Sequence, residues 1–79
     1  MANFFADRRE ELDLTQRDIA LALGMTTTAV SCWELEKSAP RIGLAGKLAE
    51  IYKVSESRMV KEIAALSQKV LAASKEVSA

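Results

Sequence analysis

Within seven residues, Thr26, Thr27, Thr28, Ser31 and Cys32 place four hydroxyls beside the chain's single thiol. A short hydroxyl donates or accepts one hydrogen bond at a time, and a threonine methyl packs against another methyl, so these groups suit contact with a surface. They do not suit bond-breaking. The chain has no histidine, so Cys32 has no evident base to activate it, and no glycine-rich loop offers its backbone N–H groups to a nucleotide phosphate. The carboxylates are spread over helix surfaces, and no cluster has the spacing of metal ligands. The expectation is a binding protein rather than an enzyme, with no cofactor and no metal.

The elements that must position these hydroxyls follow from residues 16–34, QRDIALALGMTTTAVSCWE. Apolar residues fall at Ile19, Leu23, Met25, Val30 and Trp33, with Ala20 and Gly24 between them, which is the pattern of two short amphipathic helices crossing closely. Ala20 permits the approach, Gly24 can take the positive φ of the turn, and Met25 and Val30 are expected to plug the crossing. Thr26 is placed to cap the second helix, which turns Thr27, Thr28, Ser31 and Cys32 outward and leaves Trp33 as a core wedge. A helix-turn-helix of this shape presents its second helix to the major groove of DNA.

Around that pair the sequence predicts further helices. Asn3 caps a first one running through Phe5, Arg9 and Leu12, and Thr15 caps the next by accepting an N–H near Arg17 or Asp18. Residues 37–40 form a loop ahead of Pro40. A fourth helix follows Pro40 with Leu44, Leu48, Ile51 and Tyr52 turned inward. Gly43 and Gly46 inside it mean either close packing or a frayed first turn. Ser55 caps a last helix that can continue to Glu76.

At 79 residues and 49% hydrophobic content the chain makes one small domain, and three glycines and one proline favour helix over sheet or disorder. A lone cysteine fits a reducing cytosol, and no run approaches the ~18 apolar residues of a membrane span, so a soluble, cytoplasmic protein is expected. Eleven basic residues balance eleven acidic ones, at a pI near 6.2. Through Pro40 there are four basic and seven acidic residues; beyond it there are seven basic and four acidic. Phosphate neutralisation supplies most non-specific DNA affinity, so a neutral chain should bind non-specific DNA only modestly.

The stretch LTQRDIALALGMTTTAVSCWELEKSAP resembles the helix-turn-helix family of phage Cro and cI repressors and related bacterial regulators, the XRE family. Gln16, Ala20, Gly24, Val30, Trp33, Glu34 and Pro40 fall in the family's order and spacing, and the likeness covers about residues 4–60. It implies an all-α, five-helix, lambda-repressor-like domain that binds double-stranded DNA, with a bacterial, phage or plasmid origin. By that resemblance Gln16 holds a phosphate and buttresses the recognition helix. Thr27, Thr28 and Cys32 match positions that touch base edges, with Thr26 or Ser31 reaching phosphate or base. Lys37 and Arg41 flank a loop that follows the sugar-phosphate backbone, and Arg17 is a further phosphate candidate. Arg9 and Glu34 match a pair that fixes the recognition helix by an ion-pair fork, with Arg8 as the competing partner.

The chain also departs from the family. Its recognition helix lacks the amides and guanidinium groups that contact bases in bidentate fashion, so direct readout should be weak per residue and lean on thymine methyls or DNA shape. Glu36 stands where the family often has glycine, tolerates left-handed geometry poorly and faces phosphate with the wrong charge.

In the last helix, Met59, Ile63, Leu66, Val70, Ala73 and Val77 alternate spacings of four and three. As a heptad seam this sets Ile63, Val70 and Val77 at a, with Met59, Leu66 and Ala73 at d, a choice that favours two strands. A helix-turn-helix repressor needs two copies to read half-sites roughly 34 Å apart. Alternatively, the part from Met59 through Leu66 folds back onto its own domain. The division expected is a DNA-binding domain over residues 2–60 and a dimerisation extension over residues 61–79. The reading is a homodimeric, sequence-specific repressor on a palindromic operator; the alternative is a helix-turn-helix scaffold acting through protein–protein contacts.

Overall fold

The computed structural model describes the backbone of residues 3–78 and the side chains as far as residue 73. Among these residues five α-helices follow one another and no strand occurs: α1 (Phe4–Glu11), α2 (Gln16–Leu23), α3 (Thr27–Glu34), α4 (Ala45–Tyr52) and α5 (Glu56–Ser78). A 3₁₀ turn at Ile42–Leu44 leads into α4. The fourth helix therefore starts later than Pro40 suggests, with Gly43 inside the 3₁₀ turn, which is the frayed-turn reading of the two glycines.

Every α-helix start but that of α4 is capped by a side chain. Asn3 Oδ1 accepts from the N–H of Ala6 at 3.2 Å, Thr26 Oγ1 from Ala29 at 3.3 Å and Ser55 Oγ from Arg58 at 3.1 Å. Thr15 forms a capping box: its Oγ1 accepts from the Asp18 N–H at 3.0 Å, and its own N–H donates to Asp18 Oδ2 at 2.8 Å. These satisfy orphan donors that a short helix otherwise exposes.

Helix ends share one device. Asp13, Gly24, Glu36 and Lys53, one after each of the four short helices, have φ of 59°, 67°, 61° and 55°. In each case the next N–H returns to a carbonyl in the last turn: Leu14 to Arg9 at 3.1 Å, Met25 to Ala20 at 2.9 Å, Lys37 to Cys32 at 2.9 Å and Val54 to Ala49 at 3.0 Å. These are Schellman closures. Glycine takes that backbone freely, whereas a residue with a Cβ loses about 1 kcal/mol or more there, least for aspartate. Three of the four turns thus lack the residue that usually announces them.

Phe5, Ile19, Val30, Leu48, Tyr52 and Met59 are fully enclosed in the core, and Trp33, Ile63 and Leu66 nearly so. Phe5 meets Tyr52 edge-on, with ring centroids 5.7 Å apart at 84°, a favoured aromatic geometry. Met25 corrects one expectation: it is 38% exposed. The left-handed turn at Gly24 carries it outward, so Val30 and Ile19 fill the crossing.

The heptad seam needs a larger correction. Met59, Ile63 and Leu66 are buried in their own protomer, α5 packs chiefly against α4, and Val70 lies half-buried at the edge of the core. Spacings of three and four describe a coiled-coil seam and the inner face of an amphipathic helix equally well, and one seam cannot serve two partners. The boundary expected at residue 60 falls inside the core, which runs on to Leu66. Ala73 is exposed, and the Val77 side chain lies outside the described residues. At about 1.5 Å per residue, 23 residues of α5 span roughly 35 Å. The molecule measures 38 × 24 × 24 Å, so α5 is about as long as its longest dimension, and residues 71–73 are exposed. No described helix is long and apolar enough to cross a membrane.

Candidate nucleic-acid interface

The outer face of α3 is a row of short polar groups. Thr27 and Thr28 are exposed, and Ser31 and Cys32 are half-exposed one turn on. Together with Gln16, Leu35 and Lys37 they line one open groove of about 390 Å³. Six of the nine residues expected to contact DNA therefore meet in a single concavity. The other three stand apart. Arg17 is exposed on α2, Thr26 is engaged as the α3 cap, and Arg41 lines a separate groove with Ile42, Gly43 and Leu44.

The angle of α3 is set at its far end. Arg9 donates from Nε to Glu34 Oε2 at 2.7 Å and from Nη2 to Glu34 Oε1 at 3.0 Å, a fork that fixes both planes. Its Nη1 donates to the Leu14 carbonyl at 3.0 Å, which ties the α1–α2 turn to the same point. Gln16 Nε2 donates to Glu34 Oε1 at 3.0 Å, so one side of this amide buttresses α3 while the residue itself lines the groove. Arg8 does not compete for Glu34. Its Nε and Nη2 donate to the Tyr52 and Lys53 carbonyls at 2.8 and 3.0 Å and close the end of α4.

These charges are largely out of water. The Arg9 and Glu34 side chains are 15% and 7% exposed. The hydrogen bond to Glu34 raises the Arg9 guanidinium above its ordinary value, against an opposing effect of burial. Nearby, burial pushes the Tyr52 phenol up, with the charge of Glu34 adding to the effect and Arg9 opposing it. Tyr52 Oη has no hydrogen-bond partner among the described residues.

Two features were not read from the sequence. Leu35 is 62% exposed within the groove. It lies four residues after Ser31, on the same helical face, so the 3.6-residue period carried the signal. Asn3 is the other. Besides capping α1, its Nδ2 donates to the Trp33 carbonyl at 2.8 Å, thirty residues away in sequence, and no local pattern announces such a bond.

The open groove offers hydroxyls, one amide and one ammonium along the outer face of α3, which suits the edges and phosphates of a duplex. No metal-binding group of three or more His, Cys, Asp or Glu residues occurs among the described residues. Compared with known families, residues 5–59 match a family model described as Helix-turn-helix, a span that takes in the whole groove and the Arg9, Gln16 and Glu34 clamp. Searches of curated proteins and of solved structures returned no match.

Proposed function

The chain belongs to the XRE-family helix-turn-helix proteins, which are DNA-binding transcription regulators, and from that premise we propose that it is a sequence-specific repressor acting as a homodimer on a palindromic operator. The observation that carries the reading is the shared groove of Gln16, Thr27, Thr28, Ser31, Cys32, Leu35 and Lys37 on a helix whose far end is clamped through Glu34. In this reading Thr27, Thr28, Ser31 and Cys32 read base edges, with threonine methyls against thymine methyls. Gln16, Lys37, Thr26, Arg17 and Arg41 hold phosphates. Repression is steric: two recognition helices in successive major grooves exclude polymerase.

With Met59, Ile63 and Leu66 inside the protomer, the dimer contact falls to the far part of α5, at Val70, Ala73 and Val77. That is less than two heptads, too thin for tight association in solution. The second subunit is therefore gathered by the operator, whose two half-sites hold both copies at a high effective concentration.

Fluorescence anisotropy on duplexes selected from a random pool tests both parts. The protein should bind duplex with an affinity that falls steeply as salt rises, and a palindrome should bind far more tightly than one half-site. The double variant Thr27→Ala, Thr28→Ala should lose about tenfold in preference for the selected site, about 1 kcal/mol or slightly more. Loss of affinity for every duplex alike would remove these residues from base reading. Absence of any duplex binding at low salt would leave the scaffold reading, which the exposed Leu35 and zero net charge favour.

A further inference from the structure

Glu36 carries the wrong sign for its place. Its neighbours Leu35 and Lys37 both line the proposed DNA groove, so an unbalanced carboxylate between them would repel phosphates well within the Debye length. The left-handed backbone at Glu36, φ +61°, turns the residue the other way. It lines a second groove with Asn3, Phe5, Leu66 and Lys69, and its Oε2 accepts from Lys69 Nζ at 3.2 Å. The other carboxylate of that second groove, Glu62, is already held by Arg58 at 2.7 Å, which leaves Lys69 to Glu36. Lys69 stands on α5 three residues beyond Leu66, the last core position among the described residues.

We propose that Lys69 is a positioning residue for DNA binding: by neutralising Glu36 and drawing it onto α5, it keeps Lys37 free for phosphate. This rests on the DNA-binding reading above. Without Lys69, Glu36 is left beside Lys37, its neighbour in the chain, and a pairing between them would cost the groove its one ammonium. The second half of α5 and the end of the recognition helix are thereby coupled through one ion pair, although Lys69 lines no part of the DNA groove.

The test is anisotropy on a fluorescein-labelled pool of random duplexes across a salt series, with K69A, K69R, E36Q and the double variant E36Q/K69A, each checked for folding by its thermal melt. K69A should bind about fivefold more weakly at low salt, with the deficit closing as salt rises. K69R should restore binding. In the E36Q background, K69A should have no further effect. Equal losses from K69A in both backgrounds would make Lys69 a direct phosphate contact and overturn the proposal. So would an unchanged K69A. A parent protein that binds no duplex would overturn the DNA reading as well, whereas a parent that binds alongside an indifferent K69A overturns this inference alone.

Discussion

The two ends of the recognition helix are built differently. At its start, α3 is held by one side chain, Thr26, through a 3.3 Å bond, and the next two residues are exposed. At its finish, four separate groups converge: Asn3 on the Trp33 carbonyl, Arg9 and Gln16 on Glu34, and Lys69 on Glu36. Those four come from the residue ahead of α1, from α1, from α2 and from α5. The comparison teaches how a reading surface is made on a small domain. Groups that must meet DNA cannot also be buried in contacts with the protein, so the helix is anchored at the end whose side chains have no reading role.

Breaking the anchored end should have the larger effect. Arg9→Ala leaves the Glu34 carboxylate, 7% exposed, with Gln16 as its remaining side-chain partner. Removing one member of a mostly buried pair leaves an uncompensated charge and should cost about 3 kcal/mol of stability, a large share for a domain of this size. Chemical denaturation measures it. Replacing both residues with apolar ones, Arg9→Met with Glu34→Leu, should recover most of that stability but not the DNA affinity, because the fork sets the angle of α3. Full recovery of affinity would show that packing alone orients the helix.

The lightly held end should respond less. Thr26→Ala removes the cap of α3 and should lower stability by about 0.5–1 kcal/mol, toward the smaller side because the bond is long. Chemical denaturation against the Arg9 variant gives the ranking directly. A Thr26 loss equal to the Arg9 loss would erase the asymmetry.

The same asymmetry governed what was legible in the sequence. Four helix starts were readable because a cap is local: Asn3, Thr15, Thr26 and Ser55 each act within three residues of themselves, whereas α4, which no side chain caps, begins later than Pro40 suggests. The end of α2 was readable at Gly24, whereas Asp13, Glu36 and Lys53 reach left-handed geometry without the glycine that announces it. Within the site, the outer face of α3 and the Arg9–Glu34 fork followed from helical period and family spacing. The Glu36–Lys69 pair joins residues thirty-three apart and left no trace in any window of sequence. The seam on α5 failed for a third reason. Period alone identifies an apolar face but not what covers it, and the protomer's own core holds Met59, Ile63 and Leu66, as the fold-back alternative has it.

The smallest effect tests the approach to the lightly held end, through the capping box of α2. The backbone N–H and hydroxyl of Thr15 both hydrogen-bond Asp18, and together they hold its carboxyl below the usual range, helped by Arg17 and opposed slightly by desolvation. A carboxylate whose native pKa is depressed adds stability above its unfolded value of about 3.9, and that stability disappears as pH falls through the native value. Asp18→Asn keeps the shape but loses the charge, including its interaction with the positive end of the α2 dipole. Parent and variant should therefore differ by a constant interval in melting temperature from neutral pH down to about pH 5. Below about pH 4 the parent should fall toward the variant until the curves meet. Circular dichroism melts at several pH values follow this. A gap that persists in strong acid would mean that the charge of Asp18 is not what stabilises the start of α2.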